Sequence, residues 1–357
     1  MIYRQNSSGP KYAGIGSGRI IMVDCGTTNM RCRLFEGERC LDAVKKQCGS
    51  RDLVHSGSSA VLKETLRDLI QSLLDRNDME EQNVEAVISS GILASDLGIY
   101  PIPHAVAPVG ISESAAAARM THDPEVSGIP ILFIPGVKTL PAETDSLEKK
   151  IEIYESMSGE ECEIYGIAGS MGLSGNFIIT LPGSYNKAME VDERGRITSI
   201  RTGLCGELLA ALSQGTILKS ALPEPVLRVI LPDMLILGFR MAQQFGVSPM
   251  LIKARMLPLL GGNTQDEAAN FFVGAALCDD VLSVARLCGE ERSHGKPVLV
   301  GGSDPLKTVF VTLLKEAGVA SPIPVPEETA TIASSLGAMA VYRSWKNMFL
   351  PFDEKEH

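Results

Sequence analysis

Short apolar runs alternate with longer amphipathic stretches along most of the chain, the pattern of strands exchanging with helices. Arg19–Val23 (RIIMV) reads as a buried strand that breaks at Asp24-Cys25-Gly26-Thr27-Thr28-Asn29. Met30–Phe35 alternates as a second strand, and Glu36-Gly37-Glu38 turns the chain into a third, Arg39–Val44. Gly57–Leu74 has helical spacing, and Val84–Ser89 is a strand ending in a Gly/Ser-rich loop. The strand plan then returns: Asn176–Leu181, a loop at Pro182-Gly183-Ser184-Tyr185-Asn186, Lys187–Val191, a turn at Asp192-Glu193-Arg194-Gly195, and Arg196–Ile200. Setting Gly183 on Gly26, an offset of 157, also sets Ser184 on Thr27 and Asn186 on Asn29 without a gap, so the unit reads as duplicated. Helical patterns follow at Gly206–Gln214, Asp233–Gln244 and Gln265–Leu287. A strand, Pro297–Val300, enters Gly301-Gly302-Ser303, and Glu327–Trp345 reads as a last helix.

Strands and helices alternating in both halves predict an α/β protein of two domains with mixed sheets, and 357 residues exceed the usual size of one hydrophobic core. The segment Ala168–Gly175 (AGSMGLSG) supplies small-residue breakers for a hinge. The expected divisions are therefore a flexible tail over 1–18, a first domain over 19–170, a second over 171–345 and a C-terminal tail over 346–357. A net charge of −10 with no sustained run of Lys or Arg argues against a nucleic-acid or membrane surface. It leaves small molecules or other copies of the chain, such as a homodimer, as partners. Eight cysteines without a C-x-x-C pair, and a first segment lacking an apolar core, predict a reducing, cytoplasmic setting. Gly14, Gly16 and Gly18 precede the first strand and so belong to the tail, not to a phosphate loop.

A strand ending in Asp-x-Gly-Thr-Thr suits phosphate chemistry. Gly26 lets the backbone approach phosphate, Thr27 and Thr28 donate hydroxyl and amide hydrogens, and Asp24 can hold a hydrated Mg²⁺. With a matching loop at Gly183 in the second half, the chain resembles the actin/hexokinase/Hsp70 superfamily. Within it the chain is similar to the 2-dehydro-3-deoxygalactonokinase family of sugar-acid kinases. The resemblance runs from about Ile20 to Trp345 through DCGTTNMRCRLF (Asp24–Phe35), IPGV (Ile134–Val137), SGEECEIYG (Ser158–Gly166), LPGSYNKAMEV (Leu181–Val191), RTGLCGELL (Arg201–Leu209) and FFVGAAL (Phe271–Leu277).

The resemblance implies two ribonuclease-H-like (actin-like ATPase) domains with an active-site cleft between them, ATP and Mg²⁺ as cofactors, and galactonate catabolism as the setting. The reaction it implies is phosphorylation of 2-dehydro-3-deoxy-D-galactonate, or a close relative, at the terminal 6-hydroxyl. The proton acceptor is expected on the helix opened by Gly159, with Glu160 the first choice and Glu161 the second; favourable placement at the helix dipole is the plainer account of both. Lys187 would contact phosphate or the acceptor carboxylate, or be a surface lysine, and Arg31 would bind substrate or form a structural ion pair. Glu207 would hold water on Mg²⁺ or phosphate, or serve only its helix N-terminus. Gly301, Gly302 and Ser303 resemble an adenosine-contacting loop, and Ser89, Ser90, Gly91 and Ser95 would line the acceptor side. The chain departs from the family motifs at Ser158 (Arg in the family), Cys162, Glu163, Tyr185 (His), Ala188 (Trp) and Ile99 (Trp). Because phosphate-handling positions match better than acceptor-facing ones, a kinase for a different sugar or sugar acid stays open. So does a non-catalytic actin-like nucleotide-binding protein.

Overall fold

Residues 18–49, 59–289 and 295–350 are described by a computed structural model of the chain. The first alternating pattern becomes an antiparallel meander, β1 (Arg19–Cys25), β2 (Met30–Glu36) and β3 (Arg39–Lys46). Helix α1 (Ala60–Arg76) then returns the chain so that β4 (Val84–Gly91) lies parallel to β1. The beginning of the expected helix at Gly57 and the expected tail up to residue 17 lie outside the described residues. Next come β5 (Ala105–Val106), α2 (Ile111–Ala117), β6 (Arg119–Asp123), β7 (Ser127–Phe133), β8 (Val137–Thr139), α3 (Leu147–Ile153), β9 (Glu155–Met157) and α4 (Glu160–Ser170). The main sheet has the order β3-β2-β1-β4-β7-β6, and β5-β8-β9 form a small second one. The stripe Leu62, Leu66, Leu69, Ile70 and Leu73 of α1 packs on Ile21, Val23 and Leu34 of the sheet, which is the helical spacing put to use.

The second meander is β10 (Phe177–Pro182), β11 (Asn186–Val191) and β12 (Ile197–Gly203), followed by α5 (Cys205–Gly215), α6 (Pro232–Phe245), α7 (Val247–Leu260), α8 (Gln265–Ala276) and α9 (Cys278–Gly289). Strand β13 (Val298–Val300) lies parallel to β10, then come α10 (Leu306–Glu316), β14 (Ile323–Pro324) and α11 (Glu327–Phe349). This sheet runs β12-β11-β10-β13-β14, so both sheets share a meander whose first strand takes a parallel neighbour from a later crossover. Both are mixed sheets flanked by helices, as in the actin-like ATPase fold. The gapless offset of 157 holds through Gly183 and then slips. Cys25 pairs with Met30 across the first loop, but Pro182 pairs with Asn186, so the second loop is one residue shorter and Asn186 stands at the place of Met30, not Asn29.

The chain divides into two compact units. Of the described residues, the first takes those up to Gly175, Asp192–Thr198 and those from Glu328 on; the second takes those of Asn176–Val191 and Ser199–Glu327. The Asp192–Thr198 excursion is held in the first unit by reciprocal backbone hydrogen bonds between Val109 and Ile197, at 3.0 and 2.8 Å. The single expected helix over Gln265–Leu287 is two helices broken at Leu277. Residues Ala268–Ala276 are buried on every side, so no polar stripe marks where the axis changes. Among the described residues no helix is long and apolar enough to cross a membrane.

Helix α11 is bound into the first unit at a crossing with α4. A Cβ on Gly166 would stand 1.9 Å from the Ala333 carbonyl oxygen, and one on Gly337 would stand 1.8 Å from that of Cys162. The two helices thus touch backbone to backbone, and Arg33 on β2 secures the same helix by donating to Ser335 Oγ and the Thr331 carbonyl at 3.1 and 2.6 Å. Neither glycine can grow without parting the helices. Gly337→Ala should therefore cost about 1–3 kcal/mol, the usual penalty of overpacking, read as a lower urea midpoint; an unchanged midpoint would mean that the crossing is looser than this geometry.

Candidate active site

In the first unit, β1 ends at Cys25, one residue past Asp24, and the chain turns through Gly26-Thr27-Thr28-Asn29, closed by a 3.0 Å hydrogen bond from the Gly26 amide to the Asn29 carbonyl. Nothing lies within 4 Å of where a Gly26 Cβ would be, which leaves the loop an open face. Its back is sealed by Gly49, whose missing Cβ would stand 2.5 Å from the Gly26 and Thr27 carbonyl oxygens. Beside it, the parallel register sets Asp24 against Ser90 and Cys25 against Gly91.

Gly91 decides what can come next to the loop. With φ of +89° it occupies backbone space that side chains rarely share, and a Cβ there would stand 2.3 Å from the Cys25 carbonyl oxygen. Gly159, at φ +111°, packs in turn on Gly91, its missing Cβ 3.1 Å from the Gly91 Cα. Two consecutive glycines in space therefore bring the start of α4 up to the end of β1. Glu160 is partly exposed, and its Oε2 accepts from the Ser158 amide at 3.0 Å. Glu161 is fully buried and accepts from the Gly159 amide at 2.8 and 3.0 Å.

The charges here are coupled. Burial raises the Asp24 carboxyl above the ordinary range, opposed by the guanidiniums of Arg33 and Arg31, the latter directly across the β1–β2 ladder. Burial pushes Glu161 up to about 8, with the neighbouring Glu160 and then Asp24 adding to the effect. Glu161 therefore keeps its proton to a higher pH than an ordinary carboxyl, chiefly because it is buried.

In the second unit the Gly183 amide donates to the Tyr185 carbonyl at 3.0 Å, and a Gly183 Cβ would meet only that oxygen, at 3.5 Å. Gly206 and Glu207 at the start of α5 donate their amides to the carbonyls of Gly183 and Ser184 at 3.1 and 2.8 Å. Lys187 is buried, and its ammonium donates to Thr202 Oγ1 at 2.8 Å. Gly302, at φ +71°, packs on the Pro182 carbonyl, where a Cβ would come within 2.4 Å, so Gly301-Gly302-Ser303 adjoins this loop. Ser303 is exposed.

The expected residues thus fall into two local groups: Asp24, Gly26, Thr27, Thr28, Arg31, Ser90, Gly91, Glu160 and Glu161 in the first unit, and Gly183, Ser184, Lys187, Glu207, Gly301, Gly302 and Ser303 in the second. Ser89, Ser90 and Ser95 are buried, at 0, 1 and 7% exposure. Ser89 Oγ has no hydrogen-bond partner, and Ser95 Oγ donates to the Ile92 carbonyl within its own turn. Sequence reasoning missed Gly49, Arg33 and Asp280, the last a buried acid at the start of α9. Alternation along β2 sets Arg33 with Arg31 on the face opposite the apolar Met30, Cys32 and Leu34, so the pattern does not mark it as buried; the last helix covers it. A cavity of about 570 Å³ in the first unit, lined by Glu113, Tyr165, Gly172 and Arg196 among others, contains none of the expected residues.

The donor set fits a hydrated Mg²⁺: a carboxylate at Asp24 and hydroxyls at Thr27 and Thr28 are hard oxygen ligands beside an open glycine. Comparison with known proteins agrees with the fold. A model of the family described as 2-keto-3-deoxy-galactonokinase matches residues 24–336. The 2-dehydro-3-deoxygalactonokinase of Escherichia coli (strain K12) is 24% identical over 269 residues, 75% of this chain and 81% of that one. A crystal structure from Sinorhizobium meliloti, of a protein proposed to be a 2-dehydro-3-deoxygalactonokinase, superposes with a TM-score of 0.72 at 17% identity, covering 95% of this chain and 99% of the other. The activator of 2-hydroxyisocaproyl-CoA dehydratase from Clostridium difficile, with bound ADPNP, shares the fold at a TM-score of 0.50 and 10% identity, covering 95% and 100%. With a family model spanning most of its length and a fold to match, the chain belongs to the 2-keto-3-deoxy-galactonokinase family of sugar kinases.

Proposed function

We propose that this chain transfers the γ-phosphoryl group of MgATP to the terminal 6-hydroxyl of 2-dehydro-3-deoxy-D-galactonate or a close relative. The observation that carries this reading is the contact Cys25–Gly91–Gly159, which brings a carboxylate-bearing helix start to the phosphate-type loop that follows Asp24. Phosphoryl transfer needs little covalent help from a protein; it needs the phosphate held, its charge offset and the attacking hydroxyl relieved of a proton. Gly26, Thr27 and Thr28 take the phosphates on one loop, Gly183 and Ser184 on the other, and Gly301-Gly302-Ser303 take the adenosine. Mg²⁺, when bound through water to Asp24, would offset the charge of the transferred group. Glu160, accessible and anchored through the Ser158 amide, takes the hydroxyl proton. Glu161 stays protonated near neutral pH and holds the Gly159 turn, and Glu207 orients water at the second loop.

A different sugar acid as acceptor is favoured by one observation. Where the family motif carries Arg, Ser158 bonds His104, Oγ to Nε2 at 2.9 Å, and burial lowers the His104 pKa, which keeps that ring neutral. A panel of aldonic and 2-keto-3-deoxy acids in a thermal-shift assay separates the two acceptors. MgATP should raise the melting temperature, because saturation at a hundred times Kd stabilises by about 2.7 kcal/mol; no shift with MgATP would remove the kinase reading altogether.

Three substitutions test the roles. Asp24→Asn should lower kcat by about 10²–10³-fold with the fold intact, the usual loss when one charge-stabilising group is removed, and an unimpaired kcat would take Asp24 out of the reaction. Glu160→Gln should lower kcat by about 10²–10⁴-fold while MgATP still stabilises the protein; equal, mild losses at Glu160 and Glu161 would return both to helix capping. Glu161→Gln tests the electrostatics. The folded protein holds the Glu161 proton up to about pH 8 and the unfolded chain only to its ordinary value near 4.5, so wild-type stability falls as pH rises between them. The variant should melt above wild type at pH 8.5, with the gap closing below pH 4; a variant that melts lower at pH 8.5 contradicts a neutral Glu161.

A further inference from the structure

Helix α5 begins in an unusual way. Cys205 adopts φ +38°, in the left-handed region, between Gly203 and Gly206. The first three amides of the helix all have acceptors outside it: Cys205 donates to the Asp280 carboxylate, Gly206 to the Gly183 carbonyl and Glu207 to the Ser184 carbonyl. Helix starts leave their first amides without partners inside the helix, and here two of those amides grip the second phosphate-type loop while a third is gripped by a buried acid. Gly203 and Gly206 make the fit close, since a Cβ on the first would stand 1.6 Å from Asp280 Oδ1 and one on the second 2.6 Å from the Gly183 carbonyl oxygen.

Asp280 sits in the first turn of α9 at 7% exposure, and its Oδ1 has no hydrogen-bond partner. The groups facing it are the Cys205 thiol on α5 and the Asp279 carboxylate on its own helix, neither of which offsets its charge. A buried, half-satisfied carboxylate and a left-handed cysteine both cost stability. An apolar side chain at 280 would fill the same volume without the buried charge, but it would leave the Cys205 amide without its acceptor.

We infer that Asp280 is a positioning residue for nucleotide binding, fixing the Gly183–Ser184 loop through the first amide of α5. The inference rests on the kinase reading, in which that loop takes phosphate. Loss of the carboxylate frees the Cys205 amide, and the amides of Gly206 and Glu207 then present the loop less firmly. Such a change weakens ground state and transition state alike, so it raises KM for MgATP and leaves kcat nearly unchanged.

The test is steady-state kinetics of Asp280→Ala, Asp280→Asn and Gly203→Ala beside wild type, with MgATP binding read by thermal shift. Asp280→Ala should raise KM for MgATP by about tenfold or more, with kcat within about threefold and KM for the acceptor unchanged. Asp280→Asn keeps an oxygen for the Cys205 amide and should stay within about twofold of wild type for MgATP. It should also melt higher at pH 8, because burial holds the Asp280 proton to about pH 6 and the charge above that pH is unfavourable. Gly203→Ala, which pushes the carboxylate aside, should reproduce the KM effect and serves in place of Asp280→Ala if that protein does not fold. An unchanged KM for MgATP in Asp280→Ala or Gly203→Ala, or equal impairment of the Asn and Ala variants, overturns the inference. Wild type failing to bind MgATP would instead bring down the kinase reading, and this inference with it.

Discussion

Backbone can approach backbone only where no Cβ stands between, and this constraint sets the geometry of both candidate loops. In the first unit Gly91 lies on the Cys25 carbonyl and Gly159 on Gly91, so the end of a strand, the end of its parallel neighbour and the start of a helix meet within one layer of atoms. In the second unit Gly206 lies on Gly183 and Gly302 on Pro182. Helices and strands are rigid platforms, and contacts this short fix the groups they carry more closely than loops held by side chains could. The cost is intolerance: a methyl group at most of these glycines would displace backbone, not a flexible side chain.

Electrostatics completes the first of these sites. Asp24 lies near two guanidiniums, of which Arg33 is buried and held in place by its hydrogen bonds to Ser335 and the Thr331 carbonyl of α11. Burial raises the Glu161 carboxyl, and in the proposed kinase a neutral Glu161 would keep a second negative charge away from the phosphate loop. The Gly166–Gly337 crossing that carries α11 therefore bears on the charge beside Asp24 through Arg33, although neither glycine touches the loop.

Much of this was legible in the sequence, because alternating apolar residues bounded by Gly, Asp and Asn mark strands and their loops. Both meanders, the helix after Gly159 and the Gly301 loop were visible in that way. The hairpin β6–β7 and the three short strands of the second sheet were not: their turns carry no Asn-Gly or Asp-Gly signal, and strands of two or three residues carry no period. The break at Leu277 was hidden because a helix buried all round has no stripe to interrupt. Arg31 drew notice through its motif while Arg33, two residues on and more deeply buried, has the firmer contacts. Asp280 falls inside the single helix expected over Gln265–Leu287 and drew no notice there; only the break at Leu277 and its position against Gly203 and Cys205 separate it from Asp279 beside it.

The most direct test of the central claim is ADP formation by purified protein with MgATP, measured with and without 2-dehydro-3-deoxy-D-galactonate and related sugar acids. A sugar-acid kinase should release one ADP for each sugar phosphate formed, with the phosphate on the terminal hydroxyl and little ADP when the acceptor is left out. ADP release that is the same with and without every acid in the panel would contradict it and leave a nucleotide-binding protein without transferase chemistry.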